Sequence, residues 1–218
     1  MTEPDFWHER WRRGEIGFQR DDVHPHLRRY WNDVREGRDG PVLVPLAGKS
    51  LDLRWLAERG HAVTGVELDA IAVRAFFDEA GESPTVDEAA GLERWRAGSV
   101  VMFRGDFFRF RAATPFELFY DRAALVALPP DLRPRYLAHL AAQLAPGARG
   151  LLVTLDYPQE CMDGPPFSVG DDELAAQPWF DIEPLAREEA LSTHPRFAER
   201  GLPRLHEAVY RLVRRPDR

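Results

Sequence analysis

Residues 42–69, VLVPLAGKSLDLRWLAERGHAVTGVELD, constrain the fold of this chain more than any other stretch. A short apolar run (42–46) leads into a turn of small residues. A helix follows over 50–59, with Leu53 and Leu56 facing inward and Gly60 ending it. A second apolar run (61–68) then closes with a carboxylate at its tip. A strand, a helix and a second strand in so short a span bury their apolar faces best as a parallel pair crossed by the helix. Pro45 falls near the end of the first run, where a missing N–H donor costs least.

The alternation continues downstream. DAIAVRAFFDEAG (69–81) predicts a helix with Ile71, Val73, Phe76 and Phe77 on its apolar side, capped by Asp69 and stopped by Gly81. Strands are predicted at 99–103, 116–120 and 150–157. Between the last two, Leu132, Tyr136, Leu140 and Leu144 recur at fourfold spacing and predict a helix over 131–147, closed by Gly147. The runs 179–187 and 205–215 are expected to be a final antiparallel pair. Upstream, 4–13 and 24–36 predict two helices joined by a loop carrying Ile16, Phe18 and Gln19, placed to cover the sheet and close over a ligand. Residues 82–98 follow neither period and read as a partly helical excursion. Strands alternating with helices predict a mostly parallel sheet covered on both faces, in a single domain over 1–218 whose first 38 residues form a helical cover.

Composition removes several classes of function. Acidic residues outnumber basic ones, 36 to 29, and the formal net charge of -7 is the wrong sign for a general nucleic-acid surface. No apolar run approaches a membrane span, and the start, MTEPDFWHERWRRGE, has no apolar core like that of a secretory signal, so the cytoplasm is expected. Cys161 stands alone, which excludes an internal disulfide and a cysteine-clustered zinc site. His24 and His26 are the one close pair of histidines and would not share a helical face, so no metal is expected.

In open α/β sheets ligands sit beyond the strand carboxyl ends. That rule places Leu46, Ala47 and Gly48, then Glu67, then Asp106, then the Tyr120–Arg122 corner on one rim. PLAGKS is neither a dinucleotide GxGxxG turn nor a phosphate loop, which needs a further Gly separated by four residues from its GK pair. Glu67 fits two readings: acceptor for both hydroxyls of an adenosyl ribose, or a capping carboxylate. Asp106 in RGDFF fits adenine recognition, with Phe107 or Phe108 as an apolar face, or a simple cap. Arg122 fits a contact with an anionic group or a surface ion pair.

Several ordered motifs resemble one known family, the bacterial thiopurine S-methyltransferases, a branch of the class I S-adenosylmethionine-dependent methyltransferases. They are FWHERWRRGEIGFQ (6–19), VLVPLAGKSLDLRWLAERGHAVTGVELDAIAV (42–73), GDFF (105–108), YDRAALVALP (120–129), DYP (156–158), GPPFSV (164–169) and the ending LHEAVYRL. The resemblance implies a Rossmann-like class I methyltransferase fold: a seven-stranded, mostly parallel sheet with one antiparallel strand and helices on both faces. It implies S-adenosyl-L-methionine as methyl donor, S-adenosyl-L-homocysteine as product, a small thiol acceptor, no metal, no nucleic-acid or membrane partner, and a monomer. Trp11, Leu46, Ala47, Gly48, Glu67, Asp106, Phe107 and Arg122 match donor-binding positions. Phe18, Arg122, Pro165, Pro166 and Phe167 match positions that shield or contact the acceptor. Ala47 stands where relatives often carry Cys, which argues against a required thiol in that turn.

The chemistry implied is in-line attack of an acceptor sulfur on the donor methyl. The sulfonium is a good leaving group and aromatic thiols ionise readily, so no dedicated catalytic base is assigned and catalysis rests on geometry and exclusion of water. Two alternatives are methyl transfer to another small nucleophile (halide, thiocyanate, or a tellurium or selenium species) and a non-catalytic adenosyl-ligand sensor.

Overall fold

The computed structural model describes residues 4–216; the ends of the expected 1–218 unit, residues 1–3 and 217–218, lie outside the described residues. Two helices come first, α1 (Pro4–Arg13) and α2 (Pro25–Arg35). Then β1 (Val42–Pro45), α3 (Asp52–Glu58), β2 (Val63–Glu67) and α4 (Ala70–Asp78) form the expected unit. Val42–Pro45 runs parallel to Val63–Val66, and the Asp69 carboxylate caps α4 by accepting from the Ile71 N–H at 2.7 Å. The strands β3 (Thr85–Ala89), β4 (Leu92–Ala97), β5 (Val100–Arg104) and β6 (Phe116–Arg122) follow. The chain ends with α5 (Arg133–Ala142), β7 (Leu144–Asp156), α6 (Asp171–Ala176), β8 (Phe180–Glu189), α7 (Pro195–Glu199) and β9 (His206–Arg214).

Among the described residues nine strands make one sheet in the order β3-β4-β5-β2-β1-β6-β7-β9-β8. The central five are mutually parallel, and antiparallel strands flank them on both sides. This corrects the expectation of seven strands with one antiparallel member. Alternate side chains of β1 enter opposite cores: Val42 and Val44 join Leu27 and Trp31 of α2 and Leu53 of α3, while Leu43 joins Tyr136, Leu137 and Leu140 of α5. Trp31 is fully buried, and its indole N–H is satisfied by His61 Nε2 at 3.1 Å.

The two extra strands come from residues 82–98, which form a hairpin rather than a partly helical excursion. Its two-residue turn is Ala90–Gly91, with φ values of 53° and 75°. This pair of left-handed residues is what a type I′ hairpin turn demands, and Asn-Gly or Asp-Gly usually signals it. Ala in the first position hides the turn. The hairpin also buries little apolar surface: Leu92 joins the core and Trp95 stacks on Phe77, but Asp87 binds Arg94 and Arg96, and Glu93 binds Arg104, so charge pairs replace most of the period-2 burial. A second correction concerns 131–147. The helix stops at Ala142, and Leu144 and Gly147 belong to β7. Pro146 disfavours helix at the residue before it and cannot donate within it, so the chain enters the sheet instead. Leu144 is buried in either state, which is why its fourfold spacing misleads.

The chain winds outward from β1 through β2 to β5 and then returns to place β6 on the other side of β1. That reversal opens a crevice at the carboxyl ends of β1 and β6.

Candidate active site

The turn after β1 is built around the Glu67 carboxylate. Leu46 adopts a left-handed conformation (φ 47°), followed by Gly48 (φ 56°). The Ala47 N–H donates to Val66 O at 3.0 Å, and the Gly48 N–H to Glu67 Oε2 at 2.8 Å. Glu67 Oε1 accepts from the Asp69 N–H at 2.9 Å. Burial pushes the Glu67 carboxyl up, against the pull of these backbone hydrogen bonds from Asp69 and Gly48. One carboxylate therefore pins two successive turns and keeps its remaining lone pairs at the cavity wall. A Cβ on Gly48 would lie 2.1 Å from Gln19 Nε2, so the loop after α1 packs directly onto this turn.

A cavity of about 300 Å³ opens over that turn. Of the residues singled out from sequence, Trp11, Phe18, Leu46, Ala47, Gly48, Glu67, Asp106, Phe107, Arg122, Pro165 and Pro166 all line it. Phe167 does not: its ring packs over Gly164 and near the Arg133 guanidinium, while its N–H donates to Val126 O at 2.7 Å. Asp106 Oδ1 accepts from the Phe108 N–H at 2.9 Å, so it caps the short 3-10 turn Phe107–Arg109 and also faces the cavity. The capping and ligand readings of both acidic residues are thus compatible in one geometry. Lys49 lies apart, its Nζ 2.5 Å from Glu79 Oε1 beside the end of α4.

The roof is aromatic. Trp7 and Trp11 of α1 meet Phe18 edge-on, with centroids 5.6 and 5.8 Å apart. Arg122 ties this roof to the sheet, its Nη1 donating to Phe18 O at 2.7 Å. The Arg122 corner is set in turn by Asp121, fully buried beneath it. Asp121 accepts from Tyr136 O–H at 2.6 Å and the Leu125 N–H at 3.2 Å, which fixes the left-handed Ala123 (φ 67°) between them. Burial raises the Asp121 carboxyl from 3.8 to about 6, against these hydrogen bonds. A raised carboxyl holds its proton more tightly in the folded chain than in the unfolded one. Its stabilising contribution is therefore fully present below the lower value and is lost as pH rises through the upper one. That interval corresponds to about 3 kcal/mol. Denaturant unfolding across it should show wild type losing stability relative to Asp121→Asn as pH rises; a constant difference would remove Asp121 as the titrating group.

Beyond Arg122, Ala123 and the two prolines lies a second chamber, about 700 Å³, reaching Thr154, Arg196 and Glu207. Sequence reasoning missed Glu207 and Asp52; Asp52 lines the first cavity and accepts at 3.0 Å from the hydroxyl of Tyr120, in the rim corner expected from sequence. Asp52 had a usable signal, an acidic residue opening a helix next to the ligand turn. Glu207 lies in the closing LHEAVYRL motif, but nothing in that strand singles it out as a chamber residue.

This sheet order, with a cavity at the carboxyl ends of β1, β2 and β6, defines the Rossmann-like methyltransferase class of folds. A solved 1,6-didemethyltoxoflavin-N1-methyltransferase from Burkholderia thailandensis, with bound 1,6-didemethyltoxoflavin and S-adenosylhomocysteine, is similar in overall fold. That structure matches over 98% of this chain and 87% of its own, with a TM-score of 0.63 at 19% identity. The family model described as Thiopurine S-methyltransferase (TPMT) matches residues 2–215, and the chain belongs to that family. Relatives named thiopurine S-methyltransferase include one from Pseudomonas paraeruginosa, 48% identical over 96% of this chain and 98% of its own. One from Azotobacter vinelandii is 50% identical over 97% and 99%. Among the described residues no cluster of His, Cys, Asp or Glu is arranged to hold a metal, and no helix is long and apolar enough to cross a membrane.

Proposed function

We propose that this protein is an S-adenosylmethionine-dependent S-methyltransferase acting on thiopurines and related aromatic or heterocyclic thiols, working as a cytoplasmic monomer without a metal. The observation that carries this reading is the convergence of the Glu67-pinned turn, Asp106 and the Trp11–Phe18–Arg122 roof on one cavity. The cavity suits the donor chemically. Glu67 offers a buried anionic acceptor for ribose hydroxyls, the Gly48 turn gives close backbone approach, and Phe107 with Asp106 offers an apolar face beside a polar edge. Trp11, Leu46, Ala47, Gly48, Glu67, Asp106, Phe107 and Arg122 are assigned to the donor. Phe18, Arg122, Pro165 and Pro166 are assigned to the acceptor side, with Phe167 buttressing the proline loop from behind. Helix α1 and the loop after it act as the lid of a single unit.

No base is needed for the transfer itself. The acceptor sulfur must be held in line with the methyl in a water-poor site, and the aromatic roof supplies that enclosure. Purified protein should transfer radiolabelled methyl from S-adenosylmethionine to mercaptopurine faster than to halide, thiocyanate or selenite. A protein that binds S-adenosylhomocysteine yet methylates none of these would support the sensor reading instead.

A further inference from the structure

The second chamber contains a carboxylate whose surroundings have no structural explanation. Glu207, near the start of β9, is partly exposed and lines the chamber. Three imidazoles face it: His26 Nε2 lies 3.1 Å from Oε2, and the Nε2 atoms of His24 and His194 lie 3.4 and 4.0 Å from Oε1. The His26 N–H donates to His24 Nδ1 at 3.3 Å, which leaves the proton of a neutral His24 on Nε2, toward Glu207. His24 Nε2 is buried without a well-aligned hydrogen-bond partner, so its contact with Glu207 is loose. No Lys or Arg pairs with Glu207 among the described residues. Its register partner on β8 is another carboxylate, Glu188, which pairs with Arg29 instead.

Stability alone does not favour this arrangement. A carboxylate removed from water is costly without strong partners, and a like charge directly across a strand pair adds to that cost. Burial opposes the charge of Glu207, yet the imidazoles of His24 and His26 outweigh it and hold the carboxyl well below its ordinary range. Glu207 therefore stays anionic. A carboxylate has about four lone-pair positions. His24 and His26 take two of them, His194 stands off at 4.0 Å, and the carboxylate borders the open chamber. Arg122 shares the same chamber, so its wall presents both signs of charge.

We propose that Glu207 is a substrate-contacting residue that accepts the ring N–H of a heterocyclic thione and holds the positive charge that ring acquires as its sulfur is methylated. The proposal rests on the methyl-transfer reading above and names the acceptor it selects: a thiol whose neutral form carries N–H beside C=S. In the step, a lone pair of the thione sulfur forms the new S–CH3 bond, and the electron pair of the old C–S bond returns to the donor sulfur. The donor sulfonium loses its charge and the acceptor ring gains it, so the carboxylate stabilises charge that develops only in the transition state. The ring proton then leaves to water in the chamber. His24 and His26 are positioning residues for the carboxylate.

The test compares two acceptors, a cyclic thiourea with free ring N–H groups and its N,N′-dimethyl derivative, in wild type and Glu207→Gln. Binding of S-adenosylhomocysteine is measured alongside. Wild type should favour the N–H acceptor by about thirtyfold in kcat/KM, the worth of one charge-assisted hydrogen bond. Glu207→Gln should remove most of that preference by slowing the N–H acceptor alone, with unchanged S-adenosylhomocysteine affinity. Equal slowing of both acceptors in the variant, or no preference in wild type, overturns the proposal; the wild-type ratio decides the matter even if the variant does not fold. A wild type that binds S-adenosylhomocysteine but methylates neither acceptor overturns the methyl-transfer reading and this proposal together.

Discussion

Calorimetry on Glu67→Ala should return an S-adenosylhomocysteine affinity lower by about two to three orders of magnitude. Each hydrogen bond to a buried charged acceptor contributes about 1.5–3 kcal/mol, and the proposed ribose contact makes two of them. The variant loses more than a ligand contact. The N–H groups of Gly48 and Asp69, which donate to the carboxylate at 2.8 and 2.9 Å, are left without their acceptor, so the turn over which the donor lies loosens as well. Glu67→Gln is no conservative substitute. Both oxygens accept backbone N–H groups, and an amide nitrogen at either position would face a donor with a donor. It too should bind weakly, though it fills the same volume. Because burial raises the Glu67 carboxyl, wild-type affinity should begin to fall on acidification above the ordinary carboxylate range. An affinity unchanged in Glu67→Ala would remove this residue as the donor's anchor.

The stretch on which that prediction rests was legible because its local signals agree. Apolar runs, helix stops at Gly60 and Gly81 and the Asp69 cap all specify the same unit, and β1, α3, β2 and α4 form where periodicity puts them. The rim followed from topology alone, since parallel strands deliver their carboxyl ends to one side. Legibility failed where a residue's role depends on partners distant in sequence. Residues 85–97 are a hairpin held by the Asp87–Arg94 pair and tied to β5 by Glu93–Arg104, and charge pairs leave little hydrophobic period to read. Leu144 satisfies a helical period while folding as strand. Glu207 is 181 positions from His26, and nothing local marks it as a chamber wall; only the β7–β9 and β8–β9 pairings carry it there. The tripeptide of Pro165, Pro166 and Phe167 divides likewise: adjacent in sequence, two line the cavity and the third packs behind.

Arg122→Ala should lower kcat/KM for a thiopurine by about thirty- to a hundredfold while changing thermal stability little. The guanidinium has two tasks that the geometry separates. One N–H holds Phe18 O at 2.7 Å and so fastens the loop that carries the aromatic roof across from β6. The remaining donors face the two cavities, where they meet the acceptor or the methionyl carboxylate. Losing one charged hydrogen bond in the transition state costs about 2–3 kcal/mol, which sets the size of the effect. Lys at this position restores the charge but not the fork, because a single ammonium cannot hold the Phe18 carbonyl and a ligand in the planar arrangement Arg provides. Arg122→Lys should therefore recover only part of the rate. Hydrogen exchange tells the tasks apart. If the roof contact dominates, amides over residues 14–20 exchange faster in both variants and water enters the site; if ligand contact dominates, exchange is unchanged and the loss appears in KM for the acceptor. Wild-type kinetics in a folded Arg122→Ala enzyme would reject both tasks, and would leave the roof to be held by Trp7, Trp11, the Gln19–Gly48 contact and the hydrogen bond from Arg196 to Gly17 O.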